Sequence, residues 1–258
     1  MAKIKISRRK SYKEQLALYL NLTKNLNAKL KRLFKKVART ASRKYAQGVF
    51  VDDIFFLEFS DELYKILANQ YRSVMRASAK KIIKQRYKQT DVEIDSMVEA
   101  YIITHTALEV TRISNTTRKL LSATIMKGIE AGDSIEIISN NIKKSTAFST
   151  ARSTLIARTE THSAMNAGND GISRTLELNR PVKQWNASLD ERTRSWHRNM
   201  NNKKAIPIDD VFIVQTPTKN GVIKYRMRYT GDQNGGAANV CNCRCFTLYF
   251  DEDDIITA

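Results

Sequence analysis

Three cysteines, the only ones in the chain, lie within five residues of one another at Cys241, Cys243 and Cys245. Thiolates and imidazole nitrogens are the usual ligands of structural zinc, and His197 lies in the same part of the sequence. Side chains two and four residues apart share one face of an extended segment, so the three thiols converge on a metal only where the backbone curls. We predict a candidate zinc site formed by these four residues.

Two other interpretations of the cysteine cluster stay open. Two of the thiols could form a disulfide in a particle exposed to an oxidising exterior, which would leave one thiol free. Alternatively, the three small side chains could simply pack in a tight corner. The spacing alone does not choose among zinc binding, a disulfide and packing.

A second polar group runs from Leu189 to His197 and reads Leu-Asp-Glu-Arg-Thr-Arg-Ser-Trp-His. Asp190 is suited to accept hydrogen bonds at a helix start, while Asp190 together with His197 also suggests a general base. No serine or cysteine of the sequence stands in a nucleophile-elbow context, and neither an HExxH motif nor a paired-carboxylate pattern accompanies the histidine. We therefore predict no catalytic residue and a protein that is not an enzyme.

The charge of the chain is concentrated at one end. The formal net charge is +18, and residues 1–50 contain 15 Lys and Arg against a single Glu. Such a block suits a polyanion such as nucleic acid, or an acidic protein surface; a solvated helix that keeps the protein soluble is the alternative. The residues predicted to contact DNA or an acidic partner are Lys29, Lys31, Arg32, Lys35, Lys36, Arg39, Arg43 and Lys44.

The first 180 residues contain no proline, which permits long helices. Between Tyr19 and Ala41 apolar residues recur at spacings of three and four, which predicts a helix over about 11–46 that is closed by Gly48. Further helices are predicted from residue 53 to about 88, from Asp91, up to about 128–132, from 133 or 134, and over 149–178. No apolar run approaches the roughly 18 residues of a membrane span, so no membrane association is expected.

After Leu178 the sequence pattern changes, and all three prolines lie beyond this point. Residues 181–187 and 224–229 alternate as strands do, short extended pieces are expected over 206–214, and a strand is expected after Cys245. The sequence thus predicts a mainly α fold, with a long helical N-terminal part followed by a small α+β C-terminal module. The predicted division is a basic helical region over 1–118 and a domain over 119–258, composed of helices to 180, a mixed module over 181–250 and an acidic tail.

Three ordered segments resemble the Mu F-like minor head protein family, the head morphogenesis proteins of tailed phages. They are residues 157–167 around Arg158-Thr-Glu-Thr-His, residues 185–200 from Trp185 onward, and Asn242-Cys-Arg-Cys. The similarity extends from about residue 120 to 250 and defines the domain over 119–258. The positions that match the family pattern are Arg158, Glu160, Trp185, Asp190, Thr193, Arg194, His197, Cys243, Arg244 and Cys245.

The chain also departs from this family's pattern. Asn201-Asn202 stands where the family commonly has Asp-Gly, and Cys241 looks like an extra or substituted ligand. Arg158 and Glu160 are two apart on a predicted helix and must reach different neighbours, which favours a structural pin between the helical part and the C-terminal module.

The resemblance implies a minor head component, present in few copies, that is associated with the portal or the procapsid interior. It would act in head assembly, DNA packaging or DNA delivery, with the portal protein, the major capsid or scaffolding protein and packaged DNA as partners. Its expected location is the virion, with the host cytoplasm during assembly. The alternatives are a basic nucleic-acid-binding protein and, less favoured, a zinc-dependent nuclease; a closed four-ligand zinc site leaves no position for water and so disfavours catalysis.

Overall fold

The structure is a computed structural model, and it describes residues 4–49, 51–86, 91–176 and 178–257. Long helices dominate the first 175 residues and short strands the remainder, which confirms the predicted fold class. The helices are α1 (Arg8–Ala46), α2 (Asp53–Arg86), α3 (Asp91–Glu130), α4 (Ile135–Lys144), α5 (Thr150–Thr175), α6 (Ser195–Asn201) and α7 (Gly236–Val240). The strands are β1 (Lys5–Ser7), β2 (Pro181–Asn186), β3 (Ile206–Pro207), β4 (Phe212–Thr218), β5 (Gly221–Met227), β6 (Phe246–Asp251) and β7 (Ile255–Thr257).

Helix α1 follows from its apolar stripe, since Tyr19, Leu26, Leu30 and Val37 are all buried. Its C-terminal end is fixed by Gly48, whose φ of 70° lies in the left-handed region. The amide of the next residue, Val49, donates to the carbonyl of Lys44 over 2.9 Å, as in a Schellman motif. The predicted closure of this helix at Gly48 is confirmed.

The chain forms two compact units, and both are assembled from distant parts of the sequence. The first unit contains residues 1–23, 71–98 and 158–258, and the second contains residues 24–70 and 99–157. The predicted boundary between residues 118 and 119 lies inside α3, and the two-domain division stays a prediction. None of the helices in the described part of the chain is both long and apolar enough to span a membrane.

The second unit is built from helices alone, and aromatic side chains form much of its core. Phe34 of α1 packs on Phe59 of α2 at 6.2 Å between ring centroids and on Phe148 at 6.3 Å. Arg152 of α5 reaches into this core, where its guanidinium donates to the carbonyl of Ala147 over 2.7 Å. Burial lowers the pKa of Arg152 to about 10. The unit therefore holds one polar side chain among packed rings by satisfying its hydrogen bonds.

The first unit contains every strand among the described residues. Strand β2 lies between β3 and β6 in an antiparallel sheet, with Trp185 opposite Thr247. Strands β4 and β5 form a hairpin, and β1 pairs in parallel with β7. Two apolar clusters stabilise this unit: one around Trp185, Met200, Phe212, Val214 and the two buried cysteines, and one formed by Ile6, Val182, Leu248 and Phe250.

Two details of the sequence-based description need correction. Helix α1 begins at Arg8 rather than near residue 11, because the Ser7 hydroxyl caps it by accepting from the amide of Lys10. The acidic segment 251–254 is solvated at Glu252 and Asp253, but it is not a tail, because it ends β6 and turns the chain into β7. The carboxylate of Asp251 accepts the amides of Asn179 and Arg180 in this turn. Backbone hydrogen bonds of these kinds leave no signature in composition or periodicity.

Candidate functional site

Three of the four residues that were predicted to bind a metal lie close together in the structure. The Nδ1 atom of His197 lies 3.6 Å from the sulfur of Cys243 and 3.6 Å from the sulfur of Cys245. All three side chains are buried, and their potential ligand atoms lie within 4.8 Å of one another. The structure therefore forms a compact group of two sulfurs and one nitrogen, which we call the His-Cys-Cys cluster.

Cys241 is not a member of this cluster. Asn242 between Cys241 and Cys243 has a φ of 59°, in the left-handed region, and turns the chain there. The segment from Cys243 to Cys245 then alternates as an extended chain does: both cysteines are buried, and Arg244 points the other way. The turn at Asn242 is the physical reason why only two of the three thiols face His197.

Asn239 of α7 fixes the orientation of the His197 ring. Its Oδ1 atom accepts from His197 Nε2 at 3.2 Å and from Trp196 Nε1 at 2.8 Å, and its side chain is fully buried. A ring that donates its Nε2 proton to this amide oxygen keeps Nδ1 as the unprotonated nitrogen that faces the thiols. The edge of Trp185 packs on the same ring at 5.1 Å between centroids.

The two cluster thiols are electrostatically coupled. The hydrogen bond from Cys245 lowers the pKa of Cys243, although burial opposes this change. The same interaction raises the pKa of Cys245. The contact between the two thiols therefore changes their pKa values in opposite directions.

Asp190 is the centre of a second group, on the other side of the Cys-Arg-Cys segment. Arg244 forms a bidentate pair with its carboxylate, with 2.7 Å between Nη2 and Oδ1. The hydroxyls of Thr193 and Ser188 donate to the same carboxylate. Burial opposes the charge, but the hydrogen bonds from Arg244 and Ser188 outweigh it and lower the pKa of Asp190. Arg194 donates to the carbonyl of Cys241 over 2.7 Å and so fastens the turn before the cluster.

A polar seam along α5 joins this helix to the C-terminal module. Thr159, His162, Asn166 and Asp170 lie three or four residues apart on one face, and all four are buried. The hydroxyl of Thr159 accepts the amide of Asn242, and His162 Nε2 donates to the carbonyl of Cys245 over 2.5 Å. Burial lowers the pKa of His162 to about 4, so this histidine is neutral at pH 7.

Asn166 of the seam makes more contacts than the sequence indicates. Asn166 Oδ1 accepts the amide of Thr247 at 3.1 Å and the hydroxyl of Thr230 at 2.7 Å. Close to this point, Gly231 has a φ of 83°, and a Cβ there would lie 2.6 Å from the His162 ring. Only glycine fits both the backbone conformation and this approach.

Of the two residues predicted as a structural pin, one lies inside the first unit and one is exposed. Glu160 is buried, and its carboxylate accepts the hydroxyl of Tyr71 over 2.6 Å. Arg158 is exposed on α5. The hydrogen bonds to the module come from the seam residues, of which the motif Arg-Thr-Glu-Thr-His contains Thr159 and His162.

Arg8 is a site residue that the sequence analysis missed. Its guanidinium donates to the Trp185 carbonyl over 3.1 Å and to the side-chain oxygen of Asn201 over 2.7 Å. The same Asn201 oxygen accepts the amide of Ala187. Asn201, where this chain departs from the family pattern, therefore links Arg8 to the backbone after β2. Arg8 lies 177 residues from Trp185 in sequence, and a lone arginine in a basic block gives no signal of this contact.

Lys183 of β2 is fully buried, which is rare for lysine. Its ammonium group donates to the Arg228 carbonyl over 2.7 Å and lies 5.5 Å from the centroid of the Phe212 ring. Burial lowers its pKa from 10.5 to about 8, although Asp170 opposes this change. The unfolded chain binds this proton below pH 10.5, whereas the folded chain binds it only below about pH 8.

We expect the stability of the protein relative to Lys183→Met to rise by about 3 kcal/mol between pH 8 and pH 10.5. The buried ammonium charge of Lys183 destabilises the folded state at lower pH. Stability rises with pH because the folded protein loses this charge. Urea denaturation of both proteins across this range measures it, and Lys224→Met at an exposed position provides a control whose profile should parallel the wild type. Parallel profiles for wild type and Lys183→Met would contradict the depressed pKa.

The residues predicted to contact DNA lie on the solvent side of α1. Seven of the eight are exposed, and Lys44 is half-buried. Lys36 forms an ion pair with Glu62, and no other ion pair within the described residues involves this set. We call these eight residues the basic face; they are Lys29, Lys31, Arg32, Lys35, Lys36, Arg39, Arg43 and Lys44.

These features define a class: a helical protein with a small cysteine-bearing module that a polar helix seam holds in place. The sequence model of the phage Mu protein F-like family matches residues 119–248, which is half of the chain. The chain therefore belongs to the phage Mu F-like family. Membership identifies it as a phage minor head protein, located in the phage head.

One relative is the minor head protein GP7 of Bacillus phage SPP1, which is 30% identical over 138 residues. The match covers 52% of this chain and 41% of the relative, so the chain spans less than half the length of that protein. No solved structure matches the chain.

Proposed function

We propose that this chain is a structural, non-enzymatic minor component of the phage head that lies at the portal or on the inner shell. In this position it contacts packaged DNA through the basic face and other head proteins through the rest of its surface. Its partners are the portal protein, the major capsid or scaffolding protein, and DNA. Its action is in head assembly, DNA packaging or DNA delivery.

The exposed basic face is the observation that carries the DNA contact. Lys31, Lys35, Arg39 and Arg43 follow one another at intervals of four residues, so they form one ridge along α1. The ridge is about 18 Å long, and duplex DNA carries roughly ten phosphate charges over this length. The apolar stripe on the other side of the helix is buried in the protein, which leaves the cations free to face a polyanion.

The burial of the cluster supports a structural rather than an enzymatic role. The side chain of His197 is 1% exposed and is enclosed by Trp185 and Asn239, so a substrate has no access to its ring. Asp190, its predicted companion, is occupied by Arg244 and two hydroxyls. The hydrogen bonds of His197 and Asp190 hold the module together. Either residue would have to break these hydrogen bonds in order to act as a general base.

Asymmetric cryo-EM reconstruction of procapsids and DNA-filled particles tests this proposal. We expect density for this chain beside the portal or on the inner shell, with the basic face directed at DNA in filled particles. Particles assembled without the gene for this chain should lack that density, which provides the control. Absence of the chain from both kinds of particle would contradict the proposal; a chain that then still bound DNA in solution would favour the simple nucleic-acid-binding alternative.

A further inference from the structure

The atoms of the His-Cys-Cys cluster are arranged as metal ligands are, although no ion is part of the structure. With Zn–S bonds of about 2.3 Å and Zn–N bonds of about 2.1 Å, tetrahedral angles place sulfur and nitrogen about 3.6 Å apart. Both nitrogen–sulfur distances in the cluster are 3.6 Å. The two nitrogen–sulfur distances are therefore those expected between ligands of one zinc-sized cation.

Thiol hydrogen bonds explain this geometry less well. An unprotonated Nδ1 atom has one lone pair, in the plane of the ring, and accepts one well-aligned hydrogen bond. Two sulfurs at the same distance from one nitrogen cannot both donate along that direction. Two sulfurs at equal distances from one nitrogen are instead the arrangement expected when all three atoms surround a common centre.

The surroundings of His197 also match those of a metal ligand. A metal-bound imidazole commonly donates its other nitrogen to a carbonyl or carboxylate oxygen, which fixes the ring and its tautomer. Asn239 Oδ1 accepts from His197 Nε2, and the Asn239 amide nitrogen in turn donates to the Gly235 carbonyl over 2.8 Å. Asn239 is thus a positioning residue that is itself held in place.

We propose that the cluster binds one thiophilic divalent cation of the zinc class through His197 Nδ1, Cys243 Sγ and Cys245 Sγ. Both sulfurs bind as thiolates, so their protons are released to solvent when the cation enters. Cys241 is not a ligand, and the fourth tetrahedral position belongs to a group outside the four predicted residues. The cation holds the Cys-Arg-Cys segment to α6 and so stabilises the C-terminal module. This inference rests on the cluster geometry and does not depend on the proposed role in the head.

Metal analysis of the full-length protein tests the assignment, with Cys241→Ser as a matched control for the two ligand variants. After incubation with one equivalent of zinc and dialysis, we expect about one zinc per chain in the wild type and in Cys241→Ser. Cys243→Ser and Cys245→Ser should lose zinc affinity at least 100-fold, and Asn239→Ala should lose about 10- to 100-fold. Equal loss of zinc in Cys241→Ser would overturn the ligand set.

A measurement on the wild type alone covers the case in which the ligand variants do not fold. Titration with cobalt should produce a thiolate-to-metal charge-transfer band that saturates at one equivalent and disappears on addition of zinc. A wild-type protein that takes up neither ion in its reduced form would overturn the proposal. So would an intact mass showing that Cys243 and Cys245 are joined in a disulfide in freshly purified protein.

Discussion

Replacement of Asp170 by alanine should reduce the free energy of unfolding by about 2–3 kcal/mol. The carboxylate is buried, and it accepts from Arg174 Nε at 3.0 Å, from Arg228 Nη2 at 2.8 Å and from the Tyr249 hydroxyl at 3.1 Å. Its removal leaves two guanidinium groups and a phenol without the acceptor around which they converge. The Tyr249 hydroxyl is buried and loses its acceptor, and both arginines lose a charge-assisted hydrogen bond although they stay partly exposed, so the loss exceeds that of an ordinary hydrogen bond.

Asp209→Ala provides the control for this prediction. Asp209 also pairs with Arg174, but its side chain is 85% exposed, so its removal should cost less than about 1 kcal/mol. Urea denaturation followed by circular dichroism gives both values. Similar losses for the two variants would show that the Asp170 centre does not hold α5 to the module.

The regular elements of this fold could be predicted because their signals are local. The apolar spacing from Tyr19 to Val37 defines α1, and the alternation after Pro181 defines β2. The strand expected after Cys245 is observed as β6. In each case the periodicity of one segment determines which face it buries, so no knowledge of distant residues is needed.

The connections between distant segments could not be predicted. Arg8 binds Asn201, and β1 pairs with β7 across some 250 residues of sequence. Asn166 and Asp170 look like ordinary polar residues of a helix, and only their neighbours in space make them central. The sequence offered one signal of the seam, namely polar residues at spacings of three and four from Thr159 to Asp170 of α5. The structure shows that these residues are buried.

The cysteine cluster shows both the strength and the limit of the sequence. The clustering of three cysteines and the nearby His197 predicted a site here, and the structure places His197 against two of the three thiols. The exclusion of Cys241 depends on the backbone conformation of Asn242, which a non-glycine residue adopts rarely. The spacing in the sequence does not distinguish the three thiols as possible ligands. The left-handed turn at Asn242 separates Cys241 from the two cysteines that face His197.

The largest expected functional effect is on DNA affinity. Combined replacement of Lys31, Lys35, Arg39 and Arg43 by glutamine should weaken binding to duplex DNA roughly 100- to 1000-fold at low salt. Each lost phosphate contact should also reduce the slope of log affinity against log salt by about 0.9, so the slope should fall by roughly 3 to 4. These side chains are exposed and glutamine is a good helix former, so the fold should be retained.

Deletion of residues 1–47 is a poorer test, because it removes the buried stripe of α1 together with the cations. The better control changes the net charge equally at four exposed lysines of the C-terminal module: Lys203, Lys204, Lys219 and Lys224. Fluorescence anisotropy at several salt concentrations measures both variants. If affinity depends only on net charge, the two quadruple variants will lose it equally, and the basic face will have no special part in DNA contact. If the contact is local, the module variant will retain most of the affinity and the salt dependence of the wild type, because it keeps all four cations of the ridge on α1.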